Sequence, residues 1–305
     1  MATRSTSVSV SGAIRRPAVA GSFYPGDPAY LADLVEELLV RAERLAPVAG
    51  RIEGTLVGLL VPHAGLVYSG LVAAAGWRLL GVVPDDPPAT VVLLGTNHTA
   101  GRLDGVAAWD GGAWRTPLGD VPVDGDLAAA IVDLGPPFTV DRVSHVDEHS
   151  IEVQLPLLHV VRPDAAIVPL SVAAGTGAGA IAAGRRLGEL LARRRETGER
   201  VLLAISTDMA HYPPDAICAQ VTADLLPAIL RLDPAALERD ERAVADGASP
   251  DLVCGMCGIQ PTVLGLAALR VMGATRGSRI AAATSADAGG STQRTVGYLA
   301  VGFTA

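Results

Sequence analysis

Three short apolar runs in this chain each lead into a residue that can bind a metal ion or transfer a proton. Short apolar runs bounded by turn residues are typical of buried strands. In α/β proteins, ligands bind at the carboxyl ends of parallel strands. The pattern therefore predicts one ligand site at the edge of a parallel sheet. The runs are 56–61, followed by Pro62 and His63; 91–95, followed by His98; and 202–206, followed by Asp208 and His211.

Between these runs, apolar residues recur at helical spacing, which predicts crossover helices and hence parallel strands. The predicted fold class is α/β, a three-layer single domain with a central mixed, largely parallel sheet. The predicted helices are 28–45, 68–80, 126–134, 148–161, 181–195, 216–232, 234–246 and 261–272. The predicted strands are 56–61, 90–95, 166–172, 201–206, 279–284 and 295–303, with a β-hairpin over 106–116.

The amino-terminal segment and the absence of long apolar stretches bear on where the protein acts. Residues 1–15 are predicted to be a flexible tail, and residues 16–305 a single α/β domain. The segment 1–12 has no apolar core of the kind that secretory signals carry, and no apolar stretch reaches the ~18 residues that span a bilayer. We therefore expect a cytoplasmic protein that does not bind membranes.

Charge and residue usage exclude several functions. A formal net charge of −8 argues against binding nucleic acid, since phosphate recognition needs a basic face. All 24 basic residues are arginine, so Schiff-base catalysis, a pyridoxal phosphate linkage and a Walker A loop are ruled out. Three cysteines in such a chain indicate thiols or metal ligands rather than a disulfide framework.

Two further motifs leave alternatives open. His145-Val146-Asp147-Glu148-His149 matches the H-x-x-E-H pattern of inverted zincins, which would make the protein a zinc hydrolase. Asp147 is a plausible helix N-cap, however, and would leave His145 outside the helix. Cys254 and Cys257 form a Cys-x-x-Cys pair, and Cys257 could also join two histidines in a mixed metal site. Glu152, three residues after His149, is as compatible with a solvated helix face as with a site.

Six blocks of sequence, in order, resemble the Memo family, whose members are similar in fold to the LigB-type class III extradiol dioxygenases. The blocks are Ala20-Gly21-Ser22-Phe23-Tyr24, Pro62-His63-Ala64-Gly65, Arg115-Thr116-Pro117-Leu118, Asp147-Glu148-His149-Ser150-Ile151-Glu152, Ser206-Thr207-Asp208 with His211, and Cys257-Gly258 with Pro261.

The resemblance implies a set of roles for this chain. His63, His98 and Cys257 would be the metal ligands, and Asp208, His211 and His149 would line the pocket as acid/base or supporting groups. In the related dioxygenases a carboxylate stands where this chain has Cys257. Two imidazoles and a thiolate suit a divalent transition metal, with Fe(II) favoured over Cu or Zn. Prokaryotic members are associated with a radical SAM protein and an Amme-type protein.

Two function hypotheses follow. The first is a dioxygenase-like, metal-dependent oxidoreductase that acts on a small molecule or a modified residue. The second is a non-catalytic metal-binding or peptide-binding module on the same scaffold. The presence of Cys257 in place of the carboxylate of the related dioxygenases favours this second hypothesis.

Overall fold

Two β-sheets organise the computed structural model, which describes residues 12–46, 52–81, 87–247 and 251–305. A small sheet has the order β1-β5-β6, and a large sheet has the order β10-β11-β2-β9-β3-β8-β4-β7. The strands are Ile14–Arg15 (β1), Leu56–Val61 (β2), Ala89–Thr96 (β3), Val106–Ala108 (β4), Ala113–Thr116 (β5), Gly119–Pro122 (β6), Phe138–Val140 (β7), Ala166–Val172 (β8), Arg200–Ser206 (β9), Arg276–Thr284 (β10) and Gly297–Thr304 (β11).

The centre of the large sheet is parallel. Strands β2, β9, β3 and β8 run in one direction, whereas β11 and β4 join antiparallel at its two sides. The mixed, largely parallel sheet predicted from the sequence is thus confirmed. The three apolar runs become β2, β9 and β3, which are direct neighbours, so the residues that follow them emerge at one edge.

Helices cover both faces of the large sheet. One apolar core lies between the sheet and α3, α5, α6, α7 and α8, and a second lies between the sheet and α1, α2 and α4. The helices are Pro28–Leu45 (α1), Leu66–Trp77 (α2), Gly125–Val132 (α3), Leu155–Val161 (α4), Ala178–Glu196 (α5), Asp215–Leu230 (α6), Pro234–Gly247 (α7) and Ile259–Val271 (α8).

The central strands are buried on both faces, which explains their unbroken apolar sequences. In β2, Val57 and Leu60 pack into one core, while Leu59 and Val61 pack into the other. Each such side chain contributes about 1.5–3 kcal/mol by leaving water. This burial fixes the position of Val61, and therefore of the His63 loop that follows.

The predicted hairpin over 106–116 is wrong. Strand β4 pairs with β8 and β7, whereas β5 pairs with β6 and β1, so the two halves belong to different sheets. The chain changes sheets at Gly112, whose φ of +80° and close approach to Ala13 allow almost no side chain. The real hairpin is β5–β6, which turns through Pro117 and Leu118.

The predicted helix over 148–161 forms only in its second half. Residues 152–154 make a 3₁₀ turn, and α4 begins at Leu155. Pro156 occupies the first turn of α4, where proline is tolerated because that N–H has no helical partner. The residues before it are held instead by long-range contacts of two buried carboxylates, Glu148 and Glu152.

The predicted tail, 1–15, extends too far. Residues 1–11 lie outside the described part of the chain, but residues 14–15 pair with β5. Arg15 is buried and donates to the Glu152 carboxylate over 2.6 Å. The amino-terminal boundary of the fold therefore precedes the predicted one.

Candidate metal centre

Three imidazoles converge where β2 and β3 end. The ligand-capable nitrogens of His63, His98 and His149 lie within 4.8 Å of one another. The His98 and His149 rings stack with centroids 4.6 Å apart, and His63 meets both edge-on at 5.3 and 5.4 Å. His63 is buried and His98 is the most exposed of the three, so the cluster reaches from the interior to the surface.

The cluster opens into a cavity of about 510 Å³. All six residues that the sequence analysis assigned to the site line this cavity: His63, His98, His149, Asp208, His211 and Cys257. His211 and Asp208 line it beside the three histidines, and Cys257 and Cys254 lie on its wall. The rest of the lining is mostly apolar: Phe23, Ala64, Gly65, Tyr212, Val253 and Val296. The predicted site residues are therefore brought together in one pocket.

Glu148 holds two of the histidines. Its carboxylate accepts from His98 Nδ1 over 3.0 Å and from the backbone N–H groups of His98, His149 and Ser150. Burial alone would raise the pKa of this carboxyl, but the hydrogen bonds from His98 and from these amides outweigh it and lower the pKa to about 2. Glu148 is therefore ionised at neutral pH and can only accept, so His98 carries its proton on Nδ1.

Two other histidines have the same arrangement. His63 Nδ1 lies 3.0 Å from Ser206 Oγ, and His211 Nδ1 lies 3.0 Å from the Met209 carbonyl oxygen. Burial lowers the pKa of both rings, which keeps them neutral near pH 7. A neutral imidazole that donates from Nδ1 has a lone pair on Nε2, which is the state in which histidine binds metals.

Asp208 supports the loop that carries His63. Its Oδ1 accepts from the backbone N–H of His63 over 2.6 Å and of Ala64 over 3.2 Å. Burial raises the pKa of this carboxyl to about 7. Asp208 and His211 were predicted to act as a pair; the structure places both on the pocket wall, with Asp208 bonded to the His63 loop.

The cysteines lie against different histidines. Cys257 Sγ is 3.2 Å from His63 Nε2 and accepts from the Asp208 N–H over 3.3 Å. Burial and the nearby Asp208 raise the pKa of this thiol. Cys254 Sγ instead lies 3.5 Å from His211 Nδ1. Gly258, next to Cys257, packs so closely on Thr207 that a Cβ would come within 2.5 Å of it.

The H-x-x-E-H pattern does not form a zincin site. His149 belongs to the cluster, but His145 is fully buried elsewhere, between Trp109 and Trp114, with Nε2 3.0 Å from the Ala107 carbonyl oxygen. The two histidines are not on one helix, because residues 143–145 form a separate 3₁₀ turn. The geometry on which the zinc hydrolase alternative depended is therefore absent.

The buried His145 predicts acid sensitivity. Burial lowers its pKa from 6.5 to about 4, so the unfolded chain binds a proton at this residue more readily than the folded chain. Stability is unaffected above pH 6.5 and falls between pH 6.5 and 4, by about 3 kcal/mol at the lower limit. Urea unfolding of His145→Gln at pH 7 and pH 4 should show an acid loss smaller than that of wild type by about this amount. A loss of stability in His145→Gln equal to that of wild type would contradict the role assigned to His145.

Two residues that matter in the pocket were not assigned to it from the sequence. Glu148 entered the sequence analysis only through the zincin pattern and a block that matches the Memo family, and Phe23 only through another such block; the Phe23 ring centroid lies 4.7 Å from that of His149. The sequence feature that could have assigned Glu148 to the pocket is its position next to His149, within a block that matches the Memo family. No local pattern indicates that it reaches His98, which is 50 residues away.

The fold and pocket define a class: a mixed α/β protein with a pocket at the carboxyl edge of its sheet in which three clustered histidines could hold a metal ion. The chain belongs to the Memo-like protein family, which matches residues 15–302. It is 36% identical over 294 residues to a MEMO1 family protein of Methanopyrus kandleri, covering 95% of this chain and 98% of that protein. A MEMO1 family protein of Aquifex aeolicus is also 36% identical, with 95% and 99% covered.

A solved structure has a similar fold. An uncharacterized Escherichia coli K12 protein, JW3007, superposes with a TM-score of 0.50 at 17% identity, covering 81% of this chain and 99% of its own. At that identity the likeness bears on the fold alone. In the described part of the chain, no helix combines the length and apolar character needed to cross a bilayer.

Proposed function

We propose that this protein binds a divalent transition metal in the pocket and acts as an oxidoreductase on a small molecule or a peptide. The observation that carries the proposal is the shared orientation of the histidines. His63, His98 and His211 each have Nδ1 about 3.0 Å from an oxygen, which leaves Nε2 available to a ligand. Such outer partners are typical of metal-ligating histidines.

The donor set fits a transition metal. His63 and His98 would supply two imidazoles, and the third ligand would be either Cys257, as the resemblance implies, or His149, as the 4.8 Å cluster favours. Imidazole and thiolate together suit Fe(II), Cu or Zn. A bound redox metal such as Fe(II) would supply a centre able to exchange electrons.

The other residues of the pocket would serve the reaction. Phe23 and Val296 would give the pocket apolar surface beside the polar groups. The pKa of Asp208, about 7, allows its carboxyl to hold or release a proton near neutral pH, as a general acid or base must. His211, neutral at that pH, would accept a proton at Nε2.

The second candidate, a metal-binding module without turnover, is favoured by the pocket's sulfur atoms. Cys254 and Cys257 both line it, and thiolates select Cu(I) or Zn(II) over harder ions. Such a module would retain metal and show no turnover. Association with radical SAM and Amme-type proteins remains a proposal from the resemblance, and a cytoplasmic location remains a proposal from the sequence.

Metal content and oxygen uptake test the proposal. After anaerobic purification, elemental analysis should find about one transition metal per chain. Adding the same metal to stripped protein at 100 times its Kd should stabilise the fold by about 2.7 kcal/mol. An iron-loaded protein that consumes O₂ with a catechol would favour the oxidoreductase. Tight metal binding without O₂ uptake would favour the binding module over an oxidoreductase that acts on catechols. A protein that binds no transition metal would contradict both candidate functions.

A further inference from the structure

Three buried side chains lie in a row behind His63, on the side away from the pocket: Ser206, Gln154 and Trp77. All three are 0% exposed. We propose that they form a directed hydrogen-bond relay that fixes His63 as the Nδ1–H tautomer and aims the lone pair of Nε2 into the pocket. Ser206 and Gln154 are then positioning residues for the proposed metal site. The consequence for metal binding depends on the proposed function, whereas the tautomer itself does not.

The direction of the relay is set at Trp77. An indole N–H can only donate, and Trp77 Nε1 lies 2.8 Å from Gln154 Oε1. The oxygen of the Gln154 amide therefore faces Trp77, and its NH₂ group faces the other way. That group donates to the Pro62 carbonyl oxygen over 2.8 Å and to Ser206 Oγ over 2.9 Å.

Ser206 passes the direction on to His63. Its single hydroxyl proton goes to the Ser150 carbonyl oxygen, 2.6 Å away, which can only accept. One lone pair of Ser206 Oγ is used by Gln154, and the other faces His63 Nδ1 at 3.0 Å. Because Ser206 has no further proton to give, the hydrogen bond forms only if His63 carries its proton on Nδ1.

The opposite side of the ring is consistent with this assignment. Cys257 Sγ lies 3.2 Å from His63 Nε2, a contact in which its S–H can donate to an unprotonated Nε2. The Asp208 backbone N–H donates to the same sulfur over 3.3 Å. Ser206 therefore requires the Nδ1–H tautomer, and the contact with Cys257 is compatible with it.

Gln154 also connects the His63 ring to the loop that carries it. Its amide holds the Pro62 carbonyl oxygen and the Ser206 hydroxyl at once, so loop and ring are oriented by one side chain. A hydrophobic residue at this position would leave two buried acceptors with one partner fewer. These contacts explain why position 154 carries an amide, which can accept from Trp77 and donate to Pro62 and Ser206 at once.

Nitrogen-15 NMR of the histidines in metal-free protein tests the relay, with His63 assigned through His63→Gln. Two-bond proton–nitrogen correlations show which ring nitrogen carries the proton. Wild type should show His63 as Nδ1–H, Ser206→Ala should convert it wholly or partly to Nε2–H, and Ser206→Thr, which keeps the hydroxyl, should restore wild type. Ser69→Ala is the matched control, because Ser69 is a fully buried serine that donates to the Ala64 carbonyl oxygen.

Two results would overturn the relay: Nε2–H in wild type, or an unchanged Nδ1–H in Ser206→Ala. Cobalt(II) titration of the same proteins separates the relay from the proposed function. If both hold, Ser206→Ala should bind Co(II) about 10–100-fold more weakly than wild type and Ser69→Ala. A tautomer that changes as expected in proteins that bind no metal would support the relay and contradict the metal site.

Discussion

Replacing Arg15 with methionine is expected to lower the free energy of unfolding by about 3–5 kcal/mol, because it leaves a buried carboxylate without its counter-charge. Glu152, the partner, is 0% exposed. Arg15 also donates from Nε to the His145 carbonyl oxygen over 2.8 Å and from Nη2 to that of Glu148 over 2.6 Å, and it stacks on Trp114 at 4.1 Å. Urea unfolding at pH 7 would measure the loss.

The amino-terminal segment should detach in this variant before the sheet unfolds. Glu152 also accepts from the backbone of Ala18 and Val19 and from the Tyr24 hydroxyl, so one carboxylate ties residues 15–24 to the body of the protein. Limited proteolysis should therefore cut this segment sooner in Arg15→Met than in wild type.

A surface pair provides the control. Arg41 and Glu37 form an ion pair one helical turn apart, with more than half of each side chain exposed. Exposed pairs of this kind contribute about 0.3–0.5 kcal/mol, so Arg41→Met should be nearly silent. Adding Glu152→Gln to Arg15→Met should recover part of the loss by removing the unpaired charge. A loss below about 1 kcal/mol in Arg15→Met would contradict the assigned role of the pair.

The sequence was informative about the centre of the fold because the central strands are buried on both faces. Their apolar runs have well-defined ends, and the residues just past those ends, His63, His98 and Asp208, must meet once the strands are parallel neighbours. The long helices were predictable because the signals for them are also local: an apolar stripe or a capping residue. Asp27, for example, caps α1 by accepting from the N–H groups of Ala29 and Tyr30.

The errors lie where structure depends on distant contacts. Glu152 was as compatible with a solvated helix face as with a site, yet its partner Arg15 is 137 residues away in the chain. The segment 143–154 follows no helical period because Glu148 and Glu152 bind backbone amides outside it. The change of sheet at Gly112 likewise depends on Ala13, far away in sequence. No local pattern contains that information.

The site was predicted in part by strand ends and in part by the resemblance. The strand ends supplied His63, His98, Asp208 and His211. Cys257 was one possible ligand because of the Cys-x-x-Cys pair, and the Memo-family match then assigned it that role. The structure adds that His149, assigned an acid/base role, lies in the same nitrogen cluster as His63 and His98. The structure therefore gives two candidates, Cys257 and His149, for the third ligand of a metal site that contains His63 and His98.

Removing His63 should weaken metal binding by more than about 100-fold, because losing only an outer partner of a ligand already costs 10–100-fold. His63 is central to either ligand set, since its ring meets both His98 and His149 and its Nε2 meets Cys257. Isothermal titration with Zn(II) under reducing conditions would compare His63→Ala with His159→Ala. His159 lies on α4 outside the residues that line the cavity, so its variant should bind like wild type.

His149→Ala and Cys257→Ser then distinguish the third ligand. If the thiolate completes the site, cobalt-loaded wild type should show a sulfur-to-cobalt charge-transfer band in the near ultraviolet, which Cys257→Ser abolishes and His149→Ala retains. If the three imidazoles form the site, the band is absent and His149→Ala loses affinity by a similar factor to His63→Ala. The contact of Cys257 Sγ with His63 Nε2, 3.2 Å, is consistent with the first result, whereas the cluster of imidazole nitrogens within 4.8 Å, which does not include Cys257, favours the second. Equal affinity in His63→Ala and wild type would place the metal site elsewhere.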